Sequence, residues 1–145
     1  MKSVIQRVTE ASVSVDGQCV GRIDNGLLVY LGVEKGDSEE NMHWLCSKIV
    51  KLRIFADSEG KMNLSLKDVK GSLLVISQFT LCANLRKGNR PSYNEAADPE
   101  DASLLYDKAL ETFRSLGFPV EKGIFGAHMH VTYTNDGPVT MLLEC

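Results

Sequence analysis

The chain has 145 residues and a mass of 16.0 kDa, which is the size of one domain. Its apolar fraction of 43% and charged fraction of 24% are typical of a folded globular protein and exclude a disordered or fibrous chain. The net charge of −3 excludes a positive field over the whole molecule, so a nucleic acid would have to bind at a local basic patch.

Targeting and metal signals are missing from the sequence. The first ten residues carry charge at Lys2, Arg7 and Glu10 and leave no room for the apolar stretch of a signal peptide. The longest uncharged run, residues 71–85, is too short and too polar to cross a bilayer. The four cysteines show no CxxC spacing. We therefore expect a cytoplasmic protein with reduced thiols.

The first third of the chain predicts a β-meander. Val13 and Val15 alternate with serines, as in a half-buried strand, and Asp16-Gly17 is a hairpin turn before a return strand at residues 18–23. Residues 27–31 are almost entirely apolar, which predicts a central strand covered on both faces.

A helix and a second apolar strand follow. Asp37 would cap this helix, with Glu40 at the spacing of a capping box, and the apolar residues at 42, 45, 49 and 52 form one stripe. Residues 53–56 return the chain to a strand, and residues 73–81 form the second strongly apolar strand.

The last third predicts another helix and two more strands. The helix would have Asp98 as cap and Pro99 in its first turn and would end at Gly117. The strands would be residues 127–134 and 139–144. The predicted fold, over residues 1–145, is a single compact α+β domain with a curled, barrel-like and mostly antiparallel sheet and two amphipathic helices packed on it.

Polar side chains interrupt the end of the second apolar strand. Alternation along a strand would place Gln78 and Thr80 on one face and Phe79 on the other, which is ordinary for a strand. Alternatively, the Thr80 hydroxyl and the strand-end N–H groups converge on a pocket, where such N–H groups would hold a carbonyl oxygen as charge develops on it. Both interpretations are open at this point.

A basic loop comes directly after this strand. Residues 84–93 carry three cations and no acid, with Gly88 and Pro91 as breakers. The loop is either a solvated surface segment or a rim that contacts phosphate groups. The three cations are Arg86, Lys87 and Arg90.

Two other groups of residues suggest chemistry. His128 and His130 would share one strand face, but the sequence offers no obvious third ligand, so we predict neither a metal nor another cofactor. Cys82 beside a histidine would suit a thiol nucleophile, yet a cysteine next to an apolar strand is more often inert packing.

Two segments carry a family resemblance. Residues 77–81 (SQFTL) and 135–140 (NDGPVT) are similar to the two signature motifs of the D-aminoacyl-tRNA deacylases, also called D-tyrosyl-tRNA deacylases. The stretches IQRVTEASVSVDG, LGVEKGD and RIFADSEGKMNLS and the tripeptide RPS also resemble that family, so the resemblance covers essentially the whole chain. His128, Cys82 and the basic character of residues 85–89 depart from the family pattern.

The resemblance implies a homodimeric enzyme that hydrolyses the ester joining a D-amino acid to the 3′ end of tRNA, without a cofactor and with neither membrane nor DNA as a partner. It implies a cis Gly137-Pro138 pair that reaches into the partner subunit's pocket. Our hypothesis is that this pair excludes L-amino acids sterically, so that glycyl-tRNA also becomes a substrate. The implied catalytic residues are Gln78, Phe79 and Thr80, the implied substrate-binding residues are Ser77, Met129, Gly137 and Pro138, and Arg86, Lys87 and Arg90 would contact tRNA.

The mechanism has two candidate routes. A Thr80 nucleophile needs a base within hydrogen-bond reach, and none lies beside it in the chain. The 2′-hydroxyl of the terminal ribose can instead orient or activate water while the protein supplies positioning, which is the route that the resemblance implies.

Two other functions use the same residues. A small β-rich domain with a basic loop can bind RNA without catalysing a reaction. A thiol hydrolase would use Cys82 with His128 or His130. The paired signature motifs favour the deacylase.

Overall fold

The strands are organised around one long N-terminal strand. The protein is described by a computed structural model that covers residues 1–86 and 88–145, so Lys87 and its predicted tRNA contact lie outside the described residues. The described strands are β1 (Lys2–Val15), β2 (Gln18–Ile23), β3 (Gly26–Gly32), β4 (Phe55–Ala56), β5 (Met62–Leu64), β6 (Ser72–Ser77), β7 (Val120–Lys122) and β8 (His130–Glu144). The helices are α1 (Glu39–Val50), α2 (Pro99–Ser115) and a short 3₁₀ helix (Phe79–Cys82).

The main sheet has the strand order β2-β1-β3-β6-β7. One half of β1 pairs antiparallel with β3 and the other half with β2, while β8 runs antiparallel along the opposite edge of β1. The pairs β3–β6 and β6–β7 are parallel. The sheet curls until β2 contacts β6 and β7, so it nearly closes into a barrel. This arrangement confirms the predicted α+β fold.

Two apolar clusters lie on opposite faces of the sheet. Leu27, Val29 and Leu31 of β3 pack with the apolar stripes of both helices. Leu28 of β3 packs instead with Leu74 inside the curl of the sheet. Burial of alternate residues on two faces requires an almost continuous apolar strand, and the prediction for residues 27–31 is confirmed.

The turn chemistry of the sequence is confirmed at two positions. Asp16 and Gly17 have φ angles of +50° and +78°, as expected for a tight primed turn between β1 and β2. Gly117 has a φ angle of +89° just after α2, where its N–H donates to the Arg114 carbonyl and closes the helix.

The predicted cap of α1 is wrong by one residue. Ser38 is the cap, since its hydroxyl accepts from the Asn41 N–H while the Asn41 side chain accepts from the Ser38 N–H. The Asp37 carboxylate is already engaged by the Met1 ammonium at 2.5 Å and the Glu34 N–H at 2.6 Å.

The second apolar strand is shorter than residues 73–81. It ends at Ser77, after which the Gln78 N–H donates to the Leu31 carbonyl and the chain turns into the 3₁₀ helix. The turn is closed by the N–H of Leu81, which donates to the Gln78 carbonyl at 3.3 Å. Strand alternation therefore does not determine where Phe79 and Thr80 point.

The two predicted C-terminal strands form one edge strand, β8, which begins at His130 rather than at residue 127. The NDGP segment is an irregularity within its pairing to β1, not a turn between separate strands. Asn135 bridges the irregularity, because its side-chain amide donates to the carbonyls of Arg7 and Val139 at 3.0 Å each.

Candidate active site

A cavity of about 610 Å³ opens where β3 and β6 end, beside the first turn of α2 and the segment that precedes β8. Its wall is mainly apolar, with Leu31 and Ile76 from the strands and Ala102 from the helix. A few polar groups converge on it from the end of β6. A mostly apolar concave site of this size with a few placed polar groups is typical of small-molecule binding.

The structure brings four of the predicted site residues to this cavity. Ser77, Gln78 and Phe79 line it from the end of β6, and Met129 lines it from the opposite side. Thr80 is not among the described lining residues, since the 3₁₀ helix turns it to the surface, where it is exposed. The N–H groups of Phe79 and Thr80, at the start of this helix, have no hydrogen-bond partner among the described residues.

Met129 lies directly beside Gly123, a residue that no sequence motif indicated. A Cβ atom on Gly123 would overlap the Met129 sulfur and would lie 3.2 Å from a methyl group of Ile76. A side chain at this position would therefore force the flexible Met129 side chain to shift along the cavity wall. No local sequence pattern indicates this contact, because it joins β7 to the start of β8.

Two tyrosines also contribute to the cavity wall. Burial, with a smaller contribution from nearby Tyr133, raises the pKa of Tyr30 to about 12. Burial also raises the pKa of Tyr106, whose hydroxyl donates to the Val75 carbonyl at 2.8 Å. Both phenols are therefore uncharged at neutral pH. The apolar pattern of β3 gave no sign that Tyr30 would line a site.

Few residues that line the cavity have titratable side chains. Among the described lining residues, His128 is the only one besides the two tyrosines with a titratable side chain, and none is a carboxylate, lysine, arginine or cysteine. The chemistry of this wall is therefore positioning and hydrogen bonding rather than charge.

The histidine pair and the candidate thiol occupy different environments. His128 and His130 are exposed, with ring centroids 4.9 Å apart in an edge-to-face arrangement. In the described part of the chain, no group of three histidine, cysteine or acidic residues is arranged to hold a metal. Cys82 is buried against the Val33 carbonyl, and this burial raises its pKa to about 11, so the thiol is protonated and inaccessible.

Gly137 and Pro138 are exposed on β8, and their peptide bond is cis. They are not among the described residues that line the cavity of their own chain. Next to them, the Arg7 guanidinium forms an ion pair with Asp136 at 2.9 Å and donates to the Ile54 carbonyl at 2.5 Å. Arg7 of β1 therefore links the residue before Gly137 to the Ile54 carbonyl and restrains this part of β8.

Two of the three predicted tRNA contacts are described, and both lie on a surface loop that follows the cavity-lining residues 77–79 in the chain. Arg86 and Arg90 are exposed. The ends of the loop are joined by two backbone bonds between Asn84 and Ser92, at 2.8 and 3.1 Å. The next residue, Tyr93, packs edge to face against Phe79 at the mouth of the cavity, with ring centroids 5.0 Å apart.

The fold and the cavity define a class of protein, a barrel-like α+β domain with a cavity of small-molecule size at a strand end. The family model described as "D-Tyr-tRNA(Tyr) deacylase" matches residues 4–144. The D-aminoacyl-tRNA deacylase of Geotalea uraniireducens is 58% identical over 144 residues, covering 99% of this chain and 93% of the relative. That of Geotalea daltonii is 59% identical over 99% of this chain and 96% of its own length.

This chain belongs to the D-Tyr-tRNA(Tyr) deacylase family. Membership confirms the predicted resemblance and the predicted class of enzyme, a hydrolase that acts on aminoacyl-tRNA esters.

Two solved structures support the fold. One, described as "c-Myc DNA Unwinding Element Binding Protein", superposes with a TM-score of 0.95 at 40% identity and covers 100% of this chain and 99% of its own. The other, described as "a probable eukaryotic D-amino acid tRNA deacylase", has a TM-score of 0.81 at 17% identity over 98% of this chain and 97% of its own, and it bears on the fold alone. In the described residues, no helix combines the length and apolarity needed to span a bilayer.

Proposed function

We propose that the protein hydrolyses the ester bond of D-aminoacyl-tRNA to give free D-amino acid and tRNA and leaves L-aminoacyl-tRNA intact. The observation that carries the proposal is the cavity at the end of β6. Its wall contains Ser77, Gln78 and Phe79 of one signature segment together with Met129, in a chain of the deacylase family. The aminoacyl group would occupy this cavity, and the enzyme would act in the cytoplasm, where aminoacyl-tRNA is used.

The proposed active unit is a homodimer. Gly137 and Pro138 do not line the cavity of their own chain, yet they are exposed on the outer edge strand β8. The sheet pairing of β8 in the described residues is with β1 alone, so its other edge is free to meet a second copy. A second copy would bring its Gly137-Pro138 segment to the cavity and complete the site.

Stereochemical selection in this proposal is exclusion. The backbone carbonyls of the partner's segment would occupy the volume that an L side chain needs, while a D side chain would point away from them. Glycine has no side chain to exclude, so glycyl-tRNA is expected to be a substrate. The selection would depend on a rigid segment, which fits the bracing of residues 135–138 by Asn135 and Arg7.

Catalysis in this proposal uses the RNA. The cavity offers two neutral phenols and one histidine as titratable groups in its described wall, and Thr80 lies outside it. The 2′-hydroxyl next to the ester would orient or activate the attacking water. The N–H of the lining residue Phe79, which has no hydrogen-bond partner among the described residues, would hold the carbonyl oxygen as negative charge develops on it.

The proposed function is tested by incubating purified protein with D-tyrosyl-, L-tyrosyl- and glycyl-tRNA, each with and without EDTA. We expect the D-tyrosyl and glycyl esters to be hydrolysed, the L-tyrosyl ester to persist, and EDTA to change none of these rates. Release of labelled amino acid is the measurement. Equal hydrolysis of the D- and L-tyrosyl esters would refute stereochemical selection, and sparing of glycyl-tRNA would refute exclusion as its cause.

Replacement of Thr80 tests the alternative covalent route. Because Thr80 lies outside the cavity wall, we expect Thr80→Ala to slow single-turnover hydrolysis of D-tyrosyl-tRNA by less than about tenfold. Thr80→Ser, which keeps the hydroxyl, is the matched control. A loss on the order of 10⁵ in the alanine variant, restored by serine, would establish a covalent role and contradict the RNA-assisted route.

A further inference from the structure

Two large aromatic rings lie exposed beside each other at the mouth of the cavity. Phe79 is 56% exposed and Tyr93 is 39% exposed, and their rings meet edge to face at an angle of 64°. Neither ring belongs to the apolar clusters that stabilise the sheet and helices. The folded chain therefore leaves an aromatic surface facing solvent at the edge of the cavity that Phe79 lines.

The backbone holds this pair in position. Phe79 begins the 3₁₀ helix that follows β6. Tyr93 directly follows the bonded pair Asn84–Ser92, and its own carbonyl accepts from the Ala96 N–H at 3.0 Å. Both rings thus project from segments with defined hydrogen bonds, as a preorganised binding surface requires.

The loop that joins the two rings in the chain is basic, although the whole chain carries −3 and the exposed Glu95 follows Tyr93 by two residues. Arg86 and Arg90 lie exposed on the loop between the two rings in sequence, and residues 84–93 contain no acid. Exposed aromatic rings beside cations match the chemistry of a single-stranded nucleic acid, whose bases stack and whose phosphates pair with arginine. A protein partner would not require cations at the edge of an enzyme's substrate cavity.

We infer that the Phe79–Tyr93 pair is a stacking platform for one base of the single-stranded 3′ end of the tRNA, with Tyr93 supplying the face that the base contacts. The inference rests on the proposed function, because the ester must lie in the adjacent cavity while the base is bound. Tyr93 is on this view a substrate-binding residue for the nucleotide rather than for the amino acid.

The test compares Tyr93→Leu, which removes the ring, with Tyr93→Phe, which keeps it. Loss of one stacked base is expected to raise KM for D-tyrosyl-tRNA about tenfold in Tyr93→Leu, with kcat nearly unchanged and Tyr93→Phe close to wild type. Trp44→Leu is the matched control, since Trp44 is 47% exposed on α1 and is not among the described cavity-lining residues.

Substrates with an abasic site at each of the last three positions identify the base. For one of these substrates, the KM of the wild-type enzyme is expected to rise about tenfold. On that same substrate, Tyr93→Leu and the wild-type enzyme are expected to have equal KM values, because the stacked base is already missing. A KM in Tyr93→Leu within twofold of wild type would overturn the inference, as would an effect of Tyr93→Leu that is the same on every abasic substrate. Failure of the wild-type enzyme to hydrolyse D-tyrosyl-tRNA would instead refute the proposed function.

Discussion

A tRNA whose terminal ribose lacks the 2′-hydroxyl should be hydrolysed about 10²–10⁴ times more slowly than the natural D-tyrosyl ester, the range that one positioned proton-transfer group contributes. The reason is the composition of the cavity. In its described wall, His128 is the only titratable group besides Tyr30 and Tyr106, whose phenols stay protonated at neutral pH. The RNA-assisted route proposed above therefore assigns activation of the water to the 2′-hydroxyl of the substrate.

The measurement is a single-turnover rate at saturating enzyme, with D-tyrosine attached to the 3′-hydroxyl of a terminal 2′-deoxyadenosine. A tRNA with the same deoxy substitution at the penultimate nucleotide is the control, because it keeps the reacting ribose intact. A normal rate on the terminal deoxy substrate would contradict the RNA-assisted route. A protein side chain would then have to act as the general base that activates water, and His128→Gln would be the variant to examine.

Gly137→Ala should lower the preference for the D over the L ester by about 100-fold, the cost of a misplacement near 1 Å at a catalytic site. Gly137 has a φ angle of +113°, which L-amino acids rarely adopt. An added Cβ would lie 2.8 Å from both an Arg7 guanidinium nitrogen and a Val139 methyl group. The segment must move, and the proposed wedge in the partner's cavity moves with it.

Rates on D- and L-tyrosyl-tRNA, measured for each variant, give the preference directly. Gly17→Ala is the matched control, since Gly17 also has a positive φ angle, +78°, but has open space around its Cβ position. It carries comparable backbone strain in the β1–β2 turn and should leave the D over L ratio unchanged. An unchanged ratio in a folded Gly137→Ala variant would contradict the exclusion model.

The sequence predicted the parts of the fold that depend on local pattern. The turn at Asp16-Gly17, the end of α2 at Gly117 and the doubly covered strand β3 follow from turn chemistry and hydrophobic periodicity. The cap of α1 was placed at Asp37 instead of Ser38, because both residue types cap helices and only the folded chain shows that the Met1 ammonium engages Asp37.

The site was predicted less completely than the fold. The resemblance pointed to Ser77, Gln78, Phe79 and Met129, which do meet at one cavity. It also grouped Thr80 with them, but the 3₁₀ helix after Ser77 turns that residue to the surface. Tyr30 went unrecognised, because a tyrosine in an apolar strand looks like a core residue.

Short-range patterns of apolar residues and turn glycines were enough to predict the helices and the main strands, and the resemblance of two signature segments was enough to indicate the family. Within one helix or strand, buried side chains recur with the period of that element, so the pattern of apolar residues predicts which side chains are buried. Strand pairing was decisive for the site, because the pairing of β7 with β6 brings Gly123 and Met129 to the end of β6, and the pairing of β8 with β1 leaves Gly137-Pro138 on the outer edge, away from its own cavity. Those distances depend on how elements far apart in the chain pack, which no single element encodes.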